Sequence, residues 1–410
     1  GEFVKTLFEE KHEKYVEPES PPRFMPDGSF IWFSERDGYN HLYHYRESGE
    51  LIGQVTRGEY DVLQIVSTDK RGKKLAILTT DGLMSRAVRI VDVKSGKTRR
   101  VDDREGSFTA YGDDGTDLIV KYRSKDNPGE ISSYRSSGKQ VRLLLKADNP
   151  LEKYKIGEVE FPVVAANDGT PLQARLIKPH DFDPTKNYPV LVYLYGGPHA
   201  QMVRNDVRGG APMWMFYAAN RGYLVFTIDN RGSANRGLEF EQATFRNLGN
   251  VEMQDQLSGV DYLSTLAYAD TSRMAVHGWS YGGFMTTSLM LRNPGVFDVG
   301  VAGGPVTDWR MYEVMYGERY MDTPEENPEG YENADLKNYT QNLEGKLLLI
   351  HGLQDNVVVP QHSYTLLKSF VDSGKQVDFF VYPGYEHNVR GKDRVHLMAK
   401  VLDYIDLHLK

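Results

Sequence analysis

The chain has 410 residues, 40% of them apolar and 26% charged, which excludes a disordered or collagen-like polymer and allows two or three domains. Lys and Arg number 49 against 57 Asp and Glu, a net charge of −8 with no basic block, which argues against a grip on a phosphate backbone. Cysteine is absent, so a thiol nucleophile, a disulfide framework and a Cys-ligated metal site are excluded. Apolar runs such as Val190–Tyr195 fall far short of the ~20 residues that span a bilayer. No secretory signal is visible, and the opening Gly-Glu-Phe-Val-Lys, without Met, reads as a cut inside a larger protein.

Residues 1–156 read as strands and turns. Strands are predicted at Phe30–Ser34, His41–Tyr45, Leu75–Thr80, Ala87–Val93, Asp117–Tyr122 and Val141–Leu145. Two series of turn glycines repeat between them. Gly28, Gly72 and Gly115 lie 44 and 43 residues apart, and Gly49, Gly96 and Gly138 lie 47 and 42 apart. A four-stranded unit recurring every ~40–50 residues is the mark of β-propeller blades, with an evenly spaced β-sandwich as the alternative. Three repeats are too few for the four or more blades of a closed ring, so an incomplete propeller is expected.

Residues 157–410 alternate strands with helices. Buried-type strands are predicted at Pro189–Tyr195, Tyr223–Ile228, Met274–His277, Val299–Val301, Lys346–Ile350 and Val377–Tyr382. Helices are predicted at Met253–Leu266, Gly283–Arg292, Gln361–Ser373 and Asp393–Leu409, the last with an apolar stripe of Met398, Leu402, Ile405 and Leu409. The fold class is therefore α/β, a mostly parallel sheet covered by helices, with chemistry expected at the carboxyl ends of the strands.

Gly278-Trp-Ser280-Tyr-Gly282-Gly283 is a G-x-S-x-G nucleophile elbow, with a strand entering and a helix leaving. Such a serine needs a base, and the base an orienting carboxylate, in the chain order Ser, acid, His of an α/β-hydrolase. Asp355 follows the strand Lys346–Ile350, and His387 follows Val377–Tyr382. The predicted triad is Ser280 as nucleophile, His387 as base and Asp355 as the acid that fixes the imidazole. His351 is read as structural, and His41 and His44 point to opposite faces of a strand. Asp308 and Glu386 miss the strand-end position, and no metal or cofactor motif is present. One oxyanion donor is expected from the Tyr281 N–H; the second comes from the Tyr195-Gly-Gly-Pro loop, as a backbone N–H or the Tyr195 hydroxyl. Trp309, Tyr312 and Tyr316 recur at i, i+3 and i+7, which predicts one aromatic face of a helix.

Tyr195-Gly-Gly-Pro, Asp229-Asn-Arg-Gly-Ser233, Gly278-Trp-Ser-Tyr-Gly-Gly283 and His351-Gly-x-x-Asp355 together resemble the prolyl oligopeptidase family of serine peptidases, in its dipeptidyl peptidase IV branch. Within that branch, the runs Gly304–Tyr320 and Glu386–Leu397 are most similar to bacterial prolyl tripeptidyl peptidases. The resemblance implies a propeller capping an α/β-hydrolase that acts on peptides after proline without a cofactor. It assigns the triad to Ser280, Asp355 and His387, and completes the oxyanion hole with the Tyr195 hydroxyl. Tyr281, Val306, Trp309, Tyr312, Tyr316 and Val358 match the proline pocket, and Glu313 matches the glutamate that binds the substrate α-ammonium. Where dipeptidyl members carry Asn two residues after the triad Asp, this chain has Val357, which tilts the expectation to tripeptide release. A second ammonium-binding glutamate belongs to an early propeller segment outside this chain. Relatives are commonly homodimers and are secreted or periplasmic, so a homodimer and an extracytoplasmic location are expected.

Overall fold

The computed structural model describes residues 3–17 and 20–409. The chain forms two compact units. The first comprises Gly1–Lys153, Arg204–Ala211 and Ala234–Gln242, and the second Tyr154–Val203, Pro212–Ser233 and Ala243–Lys410. The two later segments of the first unit are tied to it by main-chain bonds: Asn205 N–H donates to Met84 O at 2.9 Å, and Leu238 N–H to Gly38 O at 2.9 Å.

Three four-stranded antiparallel sheets build the first unit, each strand pairing with the next in sequence. They are Arg23–Phe24, Phe30–Ser34, His41–Tyr45 and Leu51–Gln54; then Val62–Thr68, Lys74–Asp81, Ser85–Asp92 and Thr98–Arg100; then Ser107–Tyr111, Leu118–Ser124, Asn127–Tyr134 and Gln140–Lys146. The two glycine series mark the same two hairpins of every sheet. Gly28, Gly72 and Gly115 turn the first strand into the second, and Gly49, Gly96 and Gly138 the third into the fourth. All six have φ between 66° and 91°, the left-handed region that a side chain disfavours. Neighbouring sheets share cores. Ile31, Phe33 and Leu42 pack with Leu75, Ile77 and Val91 of the second sheet. Leu78, Val88 and Ile90 pack with Phe108, Val120 and Tyr134 of the third. Full burial of each such side chain contributes roughly 1.5–3 kcal/mol. Three blades stacked face to face are an incomplete β-propeller.

The second unit is built on a nine-stranded sheet. Val159–Glu160, Val163–Ala165 and Pro171–Ile177 form its antiparallel side, and Pro171–Ile177 pairs with Leu224–Asp229. The order then runs Leu224–Asp229, Tyr188–Leu194, Ala269–Trp279, Val299–Gly303, Lys346–Gly352 and Asp378–Tyr382, all parallel. Buried, β-branched-rich segments such as Pro-Val-Leu-Val suit strands covered on both faces. The helices Tyr281–Arg292 and Asp393–Leu409 both pack on Ala269–Trp279 and Val299–Gly303. In the last helix Met398, Leu402, Ile405 and Leu409 are buried. The chain leaves Tyr188–Leu194 on one side and returns on the other, which makes its carboxyl end a topological switch point.

Candidate active site

Strand register decides which side chains meet. Leu194 pairs with Gly278, Trp279 with Gly303, Gly303 with Ile350, and Gly352 with Tyr382. Tyr195, Ser280 and the loops carrying Asp355 and His387 therefore emerge side by side from one edge of the sheet.

Ser280 sits at φ 61°, ψ −118°, directly before the helix Tyr281–Arg292. That conformation is costly for a residue with a Cβ and is held by the surrounding structure. Its N–H donates to Gly303 O at 2.8 Å. A Cβ on Gly278 would lie 2.4 Å from Gly282 O, and one on Gly282 would lie 2.4 Å from Leu194 O. The two glycines thus let strand, turn and helix approach closely enough to make the elbow.

Asp355 is buried on the loop after Lys346–Gly352. One carboxylate oxygen accepts the Val357 and Val358 N–H groups, each at 2.9 Å. The other lies 2.7 Å from His387 Nδ1. Burial alone would push the Asp355 carboxyl up, but hydrogen bonds from His351 and His387, the His387 charge and the Val357 N–H hold it well below the usual carboxylate range. With Nδ1–H donated to Asp355, His387 presents Nε2 as an acceptor, the tautomer a general base needs. The His387 loop is pinned by Trp279 Nε1–H, which donates to His387 O at 2.8 Å.

His351 does more than fill the core. Its Nε2 lies 2.7 Å from Val358 O and 3.4 Å from Asp355 Oδ2, while Nδ1 lies 2.8 Å from Ser363 Oγ. A carbonyl can only accept, so Nε2 carries the proton and faces the acid. Reading His351 as purely structural misses this contact; its place four residues before Asp355 in His-Gly-x-x-Asp was the available signal.

Tyr195 is half-buried, and burial pushes its hydroxyl pKa up while interaction with Ser280 pulls it back. The loop that carries it is fixed from the next strand. Asp229 accepts the Met202 and Val203 N–H groups at 2.8 and 2.9 Å, and Asn230 Nδ2 donates to Gly196 O at 2.9 Å. Arg231 closes on Asp255 at 2.6 Å. The tyrosine hydroxyl beside Ser280 gives the second oxyanion donor a side-chain candidate, which composition alone left open.

The aromatic residues meet, but not on one helix face. Trp309 lies in a 3₁₀ turn, Trp309–Met311, Tyr312 is extended at φ −90°, ψ 168°, and the helix Val314–Met321 starts only after Glu313. The turn is fixed by Asp308, which accepts Arg310 N–H at 3.0 Å and pairs with Arg310 Nε at 2.8 Å and Lys337 at 2.7 Å. The three rings nonetheless converge across this break in the helix. Trp309 lies 5.4 Å from Tyr281, 5.5 Å from Tyr312 and 5.7 Å from Tyr316, ring centre to ring centre. Val306, after Val299–Gly303, and Val358, beside Asp355, are both buried. Glu313 is exposed at the start of its helix. Sequence reasoning missed Glu252, a fully buried carboxylate that accepts the Tyr281 hydroxyl and, at 3.0 Å, Gly249 N–H. Desolvation pushes its pKa up to about 7 against the pull of those hydrogen bonds. No spacing in Gly249-Asn-Val-Glu252 signals it. Among the described residues no cluster of ligating side chains is arranged for a metal ion.

An α/β-hydrolase sheet, a serine on a strained strand-to-helix turn and an Asp–His pair at the same strand edge define a serine-hydrolase class of site. The sequence pattern described as Prolyl oligopeptidase family matches residues 212–410, and that described as Dipeptidyl peptidase IV (DPP IV) N-terminal region matches residues 2–129. Human dipeptidyl peptidase 8 is 30% identical over 98% of this chain and 48% of its own length. A probable dipeptidyl-aminopeptidase B of Aspergillus terreus is 32% identical over 92% of this chain and 43% of its own length. The crystal structure of a putative dipeptidyl aminopeptidase IV from Bacteroides ovatus superposes with a TM-score of 0.94 at 45% identity, covering 98% of this chain and 60% of that one. Porphyromonas gingivalis dipeptidyl peptidase 4 superposes at 0.89 with 31% identity, covering 95% of this chain and 56% of that one. The chain belongs to the prolyl oligopeptidase family of serine peptidases, in its dipeptidyl peptidase IV branch. It spans about half the length of the named relatives it matches.

Proposed function

We propose that this chain is the catalytic part of a serine exopeptidase that removes dipeptides from the amino terminus of peptides, after proline, through an acyl-enzyme. The observation that carries the reading is the 2.7 Å contact between His387 and Asp355, with His387 and Ser280, on its strained turn, lining one cavity. Ser280 Oγ attacks the scissile carbonyl carbon while His387 Nε2 takes its proton. The oxyanion is received by Tyr281 N–H and the Tyr195 hydroxyl. His387 returns the proton to the leaving amine, and a water activated by the same imidazole then releases the acyl group. Tyr281, Trp309, Tyr312, Tyr316, Val306 and Val358 supply flat apolar surface for a pyrrolidine ring. Glu313 offers a charge to the substrate α-ammonium.

Dipeptide release is favoured over the tripeptide release expected from Val357, because the named relatives and the structural neighbours are dipeptidyl peptidases. Gly-Pro and Ala-Ala-Pro p-nitroanilides decide between the two: faster turnover of Ala-Ala-Pro restores the tripeptide reading. Ser280→Ala should lower turnover by roughly 10⁶ and abolish fluorophosphonate labelling. Labelling that survives the substitution removes Ser280 from the mechanism.

A further inference from the structure

The cavity that contains Ser280 and His387 is about 310 Å³, at the lower end of small-molecule sites, and the aromatic cluster around Trp309 does not line it. This separation assigns the two sides of the scissile bond. The imidazole that takes the serine proton must hand it to the leaving nitrogen, so the space against His387 receives the leaving fragment. The apolar cluster is left for the acyl side.

The walls of this space are aromatic, from Trp214, Trp279 and Tyr193, and they carry one permanent charge, the guanidinium of Arg394. His277 also lines it, but burial pushes that imidazole down to about 4, so it adds no charge at neutral pH. No carboxylate lines the cavity. Asp393, next to Arg394, is engaged by the Tyr385 hydroxyl at 2.7 Å, and among the described residues no ion pair is made by Arg394. Its side chain is exposed and its charge is felt inside, where it disfavours protonation of His277 and favours ionisation of Tyr193. A fork of N–H donors with no ion-pair partner, lining a space with aromatic walls, matches a carboxylate.

We propose that Arg394 binds the free C-terminal carboxylate of a short leaving fragment, so that the preferred substrates are small peptides with a free acid end rather than long chains or amides. The proposal rests on the exopeptidase reading above and names the substrate class for that site.

The test compares Gly-Pro-Ala with Gly-Pro-Ala-amide, and both with Gly-Pro-Asp-amide, which carries its only carboxylate on a side chain. A charge-assisted contact at a solvated site should favour the free acid by about five- to tenfold in kcat/KM. Arg394→Gln should bring the acid-to-amide ratio to about one, and Arg394→Lys should recover part of it. Binding of the same peptides to the Ser280→Ala protein, by calorimetry, gives the ratio without turnover. Equal affinity for acid and amide overturns the proposal while leaving peptidase activity intact, as does binding of neither. A preference carried by the Asp side chain instead overturns the terminal-carboxylate assignment. Loss of hydrolysis of every peptide by the wild-type chain would overturn the exopeptidase reading alone, with calorimetry still deciding Arg394.

Discussion

Replacing Glu252 by Gln separates the two things this buried carboxylate does. In the folded protein its pKa is raised to about 7 from an ordinary 4.5, chiefly by desolvation. As pH rises from 4.5 towards 7 the unfolded chain gives up this proton and the folded one keeps it. The stability present below 4.5 is therefore lost as pH climbs through the folded value. At ~1.4 kcal/mol per pH unit the loss is about 3 kcal/mol by pH 8. Gln does not titrate, so its curve should lack this fall. The neutral acid present below pH 7 and the Gln amide each offer a carbonyl oxygen and a donor, enough for Gly249 N–H and the Tyr281 hydroxyl, which can accept as well as donate. Glu252→Gln should thus be close to the wild type in stability at pH 5 and more stable than it, by up to about 3 kcal/mol, at pH 8. Urea unfolding followed by tryptophan fluorescence reads the catalytic unit, because three of the four tryptophans, Trp214, Trp279 and Trp309, lie there. Parallel stability curves for the two proteins between pH 4.5 and 8 would refute the reasoning.

If the Tyr195 hydroxyl is the second oxyanion donor, Tyr195→Phe should lower kcat by about 10²–10³; an unchanged kcat would return that role to a backbone N–H of the same loop. Glu313→Gln should raise KM about tenfold for peptides with a free amino terminus, the worth of a charge-assisted hydrogen bond, and leave N-acetylated ones little changed. Equal effects on both would make Glu313 a structural residue.

Local signals were legible wherever chemistry and backbone conformation demand a particular residue. The six turn glycines announced the blades because their positive φ disfavours residues with a Cβ, and the elbow glycines announced Ser280 because a Cβ there would strike main-chain oxygen. Short outer strands such as Leu51–Gln54 and Thr98–Arg100 were not legible, since they are largely exposed and carry little apolar alternation. The aromatics that the resemblance matches to a proline pocket do meet in one cluster, yet their arrangement was misread. Spacing at i, i+3 and i+7 describes a helix only if the chain stays helical, and Asp308 instead caps a 3₁₀ turn through Arg310 N–H.

By itself the amino-acid sequence determined the class of chemistry, because a nucleophile elbow followed by strand-end Asp355 and His387 needs residue types in a fixed order. Only the tertiary structure decided what surrounds them. Glu252 takes the Tyr281 hydroxyl, and Trp214, His277 and Arg394 come to line one space with His387, through contacts between segments far apart in the chain. Such contacts depend on sheet register and on the path of the loops, and neither leaves a periodic mark in the sequence.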